Sequence, residues 1–117
     1  MMDKIDLKQT LILFLIGANP GIKSIYRLVW QFDKADFPGR VGKEIEELVA
    51  KGYIIVTNYF ENGTESHYKI TDKGSLYLSK NFNEDEILHF INQMRHPEVL
   101  FKLTQSYIEK FKADDNV

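Results

Sequence analysis

The spacing of apolar residues predicts three helices in the first half of the chain. A first helix runs from Asp6 to about Ala18, and its run Leu11–Ile16 makes it apolar nearly all round. Such a helix is buried or lies in an interface. After the break at Asn19-Pro20-Gly21, a second amphipathic helix ends near Phe32. The pattern therefore places a buried helix ahead of two amphipathic ones.

The third helix covers residues 37–51 and ends at Gly52, where a left-handed residue caps the helix. Its buried stripe consists of Val41, Ile45 and Leu48, which recur at helical spacing. We expect the opposite side to be exposed, and it carries Arg40, Lys43, Glu44 and Glu47.

A β-hairpin follows over residues 53–71, where β-branched and aromatic residues flank Asn62-Gly63. A two-residue type I′ turn at Asn62-Gly63 would pair Ile55 with Ile70 and Thr57 with Tyr68. This register predicts a core face, and it leaves a second face to solvent. The core face is Ile55, Thr57, Tyr68 and Ile70, and the solvated face includes Asn58, His67 and Lys69.

Three further helices are predicted after the hairpin. Thr71 is placed to cap a short helix over about residues 72–80, and Asn83 to cap the next. Pro97 begins a long terminal helix with an apolar stripe. The stripe either packs on the same domain or forms a dimer interface. The residues predicted for a dimer interface are Leu100, Leu103, Tyr107, Ile108 and Phe111.

Composition limits the binding partners and the cellular compartment that we expect for the protein. The net charge is −2, so contact with nucleic acid requires a local basic patch rather than an overall basic chain. Residues 21–43 contain five cations and only two carboxylates. The cations are Lys23, Arg27, Lys34, Arg40 and Lys43. The absence of Cys, of a signal-like N-terminus and of an apolar run of about 20 residues favours a cytoplasmic protein with no membrane segment.

The sequence offers little for catalysis. Glu86 and His89 would share a helical face, but one such pair does not make a metal site. There is no Gly-rich phosphate loop and no Ser-centred nucleophile elbow. Stacking of single strands on Tyr59, Phe60 and Tyr68 is a weaker alternative to packing. We expect no enzyme, no cofactor and no metal.

Two segments resemble bacterial winged-helix transcriptional regulators, especially the PadR-like and MarR-like groups. They are residues 46–54 (EELVAKGYI) and residues 67–74 (HYKITDKG), and the resemblance extends over about residues 5–80. It implies an α+β, mainly α fold, with three helices and a hairpin wing. The implied organisation is a winged helix-turn-helix domain over residues 1–80 and a helical dimerisation arm over residues 81–117.

The resemblance also implies a function, which is binding of duplex DNA as a homodimer through helix 37–51 and the wing. Arg40, Lys43 and Glu44 would face bases, and phosphates would be held by Lys23, Arg27 and Lys69. The family resemblance names no effector. The alternative is a winged-helix module that binds protein and not DNA, because Glu44, Glu47 and the tip of the wing are acidic.

Overall fold

The computed structural model describes residues 5–18, 25–35, 40–63 and 65–115. They form a mainly helical α+β fold with one two-stranded antiparallel sheet, as the sequence predicts at this level. In chain order the elements are α1 (Leu7–Ala18), α2 (Ile25–Lys34), α3 (Val41–Ala50), β1 (Ile54–Tyr59), β2 (Glu65–Ile70), α4 (Asp72–Asn81), α5 (Glu84–Asn92) and α6 (Glu98–Asp115).

Helix α1 is the centre of the fold. It packs against α3, β2, α4, α5 and α6, and every residue from Leu11 to Ile16 is buried. Asp6 caps its first turn by accepting a hydrogen bond from the Gln9 N–H at 2.9 Å. The prediction of a buried first helix is confirmed, because neighbours on several sides are what an all-round apolar helix needs.

The end of α3 has the predicted form. Gly52 has φ +82°, and its N–H bonds to the Val49 carbonyl while the Tyr53 N–H bonds to the Leu48 carbonyl, each at 3.0 Å. These two bonds are the pair found in a Schellman motif, so only three residues separate the end of α3 from the start of β1.

A clasp of polar contacts joins this end of α3 to the start of α4. The Thr71 hydroxyl lies 2.6 Å from the Gly52 carbonyl oxygen and 3.0 Å from that of Tyr53, which also accepts the Thr71 N–H at 3.0 Å. The same hydroxyl accepts the Gly74 N–H at 3.1 Å, so Thr71 is the predicted N-cap of α4. Beside it, Lys73 Nζ donates to the Lys51 carbonyl at 2.6 Å. The clasp therefore holds both ends of the hairpin together.

The predicted hairpin register is wrong by one residue. Ile54 pairs with Ile70, Ile55 with Lys69 and Val56 with Tyr68. The cause is the turn, in which the Gly63 N–H bonds to the Phe60 carbonyl at 2.9 Å and Gly63 has φ +85°. The turn therefore spans Phe60 to Gly63 and ends in a left-handed glycine, a longer loop than the two-residue type I′ turn.

A shift of one residue exchanges the faces of a strand. Ile54 is consequently buried, whereas Ile55, predicted for the core, is half exposed at 50%. Thr57 is exposed and lies at an irregularity in the pairing between Val56 and Asn58. The inner face is thus Ile54 and Val56 with Tyr68 and Ile70, and the exposure predicted for Lys69 is confirmed.

Helices α5 and α6 share the core of the preceding elements. Ile87, Ile91 and Leu100 are fully buried in the cluster that includes α1, and Phe82 stacks on Phe14 with ring centroids 4.5 Å apart. Asn83 caps α5 as predicted, by accepting the Glu86 N–H at 3.0 Å. The helices beyond the predicted boundary at residue 80 therefore pack onto the rest of the fold.

Gly74→Ala should destabilise the protein strongly. A Cβ at Gly74 would meet the Tyr53 carbonyl oxygen inside van der Waals contact and would lie 2.7 Å from Ile70 Cγ1. We expect a loss of about 2–3 kcal/mol in the free energy of unfolding, measured by urea denaturation. Gly42→Ala is the control: nothing lies within 4 Å of its added Cβ, so it should gain up to about 1 kcal/mol in helix propensity. Equal effects would contradict the close approach at Gly74.

Two buried threonines should respond in opposite ways to substitution by valine. The Thr104 hydroxyl is buried and has no hydrogen-bond partner within the described residues, whereas Thr10 donates its hydroxyl to the Asp6 carbonyl at 2.8 Å. Thr104→Val should leave stability unchanged or raise it by about 1 kcal/mol, and Thr10→Val should lower it by about 1 kcal/mol. Thermal unfolding of both variants checks this, and a loss of stability in Thr104→Val would refute it.

Candidate nucleic-acid interface

The outward side of α3 is the candidate interface. Val41, Ile45 and Leu48 are buried against the core and fix the rotation of the helix. Arg40 and Lys43 are exposed, as the sequence predicts for both. Arg40 precedes the helix in extended conformation, at the N-cap position, and makes no side-chain capping bond. The N-cap and the first turn of α3 therefore present two cations to solvent.

The structure corrects the prediction for Glu44, which turns toward α1. Its side chain is only 12% exposed, and its Oε1 lies 3.9 Å from Lys8 Nζ. Its Oε2 is buried and has no hydrogen-bond partner in the described part of the chain. The helical spacing explains the error, because Glu44 is three residues after Val41 and four before Leu48 and so borders the buried stripe.

Glu47 is also engaged by α1. Its Oε2 accepts a hydrogen bond from Gln9 Nε2 at 2.5 Å, and Gln9 itself is only 4% exposed. The predicted acidic face of α3 is therefore largely turned inward. The exposed carboxylate that remains on α3 is Glu46, which the sequence reasoning did not single out.

The surface around α3 thus depends on Lys8 and Gln9, which sequence reasoning missed. Both lie in the first turn of α1, where polar residues precede the apolar run. The apolar run indicates that α1 is buried on every side. Polar residues just before such a run can therefore form hydrogen bonds with polar groups of the neighbouring element. The sequence does not say which element this is.

The hairpin presents a third exposed cation, Lys69, directly across from Ile55 on the outer face. The clasp at Thr71 links this strand to the C-terminal end of α3. Lys73 Nζ adds a contact 4.8 Å from the centre of the Tyr53 ring. The hairpin and α3 are therefore held together at the base of the hairpin. Near its tip, Tyr59 is exposed whereas Phe60 and Tyr68 are partly buried, so these rings do not form one open stacking surface.

Two of the predicted phosphate contacts cannot be placed. Lys23 lies outside the described residues, and of Arg27 only the backbone position in α2 is described. Lys34, a further cation of this region, lies over the exposed Trp30 ring with Nζ 5.2 Å from the ring centre. The interface as described consists of Arg40, Lys43 and Lys69.

The predicted dimer residues divide into two groups. Leu100 and Ile108 are buried in the core of the single chain, so the alternative of packing on the same domain applies to them. With Thr104 they form a stripe of every fourth residue that faces inward. Leu103 and Tyr107 are partly buried and lie on the neighbouring stripe, which begins at Val99 with 54% of its surface exposed. The side chain of Phe111 is outside the described set.

The Glu86 and His89 pair, weighed above as a metal site, lies on α5. His89 Nε2 lies 3.1 Å from Gln93 Nε2, and the described residues contain no cluster of three side chains suited to a metal. Over the same residues, no helix combines the length and apolar character that crossing a bilayer requires.

Comparisons of the chain with protein-family models, with curated proteins and with solved structures gave no match.

Proposed function

We propose that the protein is a winged-helix regulator that binds duplex DNA, with α3 as the recognition helix and the hairpin as the wing. The element order supports this proposal, since a third helix is followed by a hairpin and then by further helices. A helix placed in the major groove reads base edges through its exposed N-terminal residues. Such a regulator would act in the cytoplasm, without a membrane segment or a cofactor.

The observation that carries the proposal is the exposed pair Arg40 and Lys43, at the N-cap and in the first turn of α3. Arginine and lysine are the side chains that most often contact guanine edges, and both neutralise phosphates. Lys69 on the outer face of the hairpin would contact the backbone beside the groove. Lys23 and Arg27, from their sequence positions, would add phosphate contacts.

The alternative, a protein-binding module, was motivated by an acidic α3. That motive is weaker in the folded chain, because Glu44 and Glu47 turn toward Lys8 and Gln9. An exposed Glu46 and an acidic hairpin tip at Glu61 still distinguish the surface from that of a strongly basic DNA binder. Absence of DNA binding would therefore favour the protein-binding module.

We also propose that the protein is a homodimer, and that the dimer surface is the outer stripe of α6. This stripe consists of Val99, Leu103 and Tyr107, which are four residues apart and partly or largely exposed. Residues at this spacing lie on one helical face, so they can pack against the same stripe of a second copy. Two copies would place two α3 helices on neighbouring half-sites of DNA.

Arg40→Ala with Lys43→Ala should weaken binding to duplex DNA. Each lost contact should cost about 1–3 kcal/mol and lower the slope of log affinity against log salt by about one. Fluorescence anisotropy across a salt series, first with mixed-sequence duplexes, measures both quantities. Lys80→Ala with Arg95→Ala is the control, because it removes one lysine and one arginine from exposed positions outside α3, the hairpin and the proposed dimer stripe. Equal weakening by the two double variants would refute docking through α3.

Val99→Lys should convert the dimer to a monomer. Val99 is exposed in the single chain, so the substitution leaves the core intact while it places a charge within the apolar stripe of the proposed dimer contact. Sedimentation velocity over a range of protein concentrations gives the oligomeric state. Gln105→Lys, at an exposed position on the side of α6 away from the Val99, Leu103 and Tyr107 stripe, should remain dimeric. A wild-type chain that stays monomeric at every concentration would reject the dimer.

A further inference from the structure

The charge presented by α3 depends on two side chains of α1. Helix α3 carries three carboxylates, Glu44, Glu46 and Glu47, and only Glu46 is fully exposed. Lys8 approaches Glu44, and Gln9 donates to Glu47. The outward side therefore presents two cations, Arg40 and Lys43, against one carboxylate. With all three carboxylates turned outward, it would present two cations against three carboxylates, and the sign of its charge would reverse.

We infer that Gln9 and Lys8 are positioning residues for nucleic-acid binding, because they hold two carboxylates of α3 back from the DNA. The inference rests on the proposed function. Neither residue needs to touch DNA for this role. A carboxylate that swings to within a Debye length of a phosphate, about 8–10 Å at physiological salt, repels it. Holding the carboxylate against α1 keeps it farther from the phosphates and so lowers that repulsion.

Gln9 provides the sharper case of the two. Its amide is uncharged and its side chain is 4% exposed, so burial restricts the conformations from which it can donate. Its Nε2 donates to the Glu47 carboxylate, and a hydrogen bond to a charged acceptor is stronger than one between neutral groups. Lys8 is 33% exposed and lies 3.9 Å from Glu44, so its ion pair is looser and solvent screens it more. Gln9 can also be replaced by another neutral residue, which leaves the net charge of the protein unchanged.

The test is Gln9→Met, which keeps the length and approximate volume of the side chain but removes the donor. Released Glu47 should weaken binding of the full chain to duplex DNA by roughly three- to tenfold at about 0.1 M salt. The weakening should fade as salt rises, because it arises from repulsion between charges. Gln105→Met, at an exposed position of α6, is the matched control and should bind like the wild type.

A second variant separates repulsion from a change in structure. Glu47→Gln removes the charge that Gln9 is inferred to hold back, so Gln9→Met should have no effect on affinity in that background. A merely structural role for Gln9 would weaken binding equally in both backgrounds and at all salt concentrations. Thermal unfolding of each variant verifies that it is folded before its affinity is compared.

The outcomes distinguish the inference from the function on which it rests. If the wild-type chain binds DNA and Gln9→Met binds equally well, the inference is wrong and the proposed function stands. If Gln9→Met is weaker regardless of Glu47 or of salt, the positioning role is also wrong. If the wild-type chain does not bind duplex DNA even at low salt, the proposed function falls and the inference falls with it.

Discussion

The relation between α3 and the hairpin depends on the clasp at Thr71. One hydroxyl meets the Gly52 and Tyr53 carbonyls and accepts the Gly74 N–H, so four chain segments converge there: the end of α3, both strands and the start of α4. The approach is possible because Gly74 has no side chain where the Tyr53 carbonyl and Ile70 lie. Backbone carbonyls at such a junction need donors, and the hydroxyl and N–H of Thr71 serve the Gly52 and Tyr53 carbonyls.

Helix α1 links the core to the surface chemistry. Its apolar run forms the centre of the core, and its first turn contacts carboxylates of α3 through Lys8 and Gln9. The net charge of −2 therefore says little about the candidate interface. Charges farther from the interface than the screening length contribute little to the potential there. The same packing that stabilises α3 also decides which of its charged side chains face outward.

Features that depend on a few neighbouring residues could be predicted well. The stop at Gly52 and the caps at Thr71 and Asn83 follow from local backbone geometry, and the structure confirms all three. The hairpin itself was predictable from its β-rich strands, but its register was not. Asn62-Gly63 is compatible with more than one turn, and a turn longer by one residue moved Ile55 from the core face to solvent.

The sequence by itself determined the order and type of the elements, because apolar periodicity and caps act over a few residues. It also determined that Arg40 and Lys43 are exposed, since they lie across the helix from the buried stripe. Only the tertiary structure decided the direction of Glu44 and Glu47 and the burial of Leu100 and Ile108. These side chains border or join apolar stripes, and their exposure is set by which neighbouring helix packs beside them, a contact between residues distant in the chain.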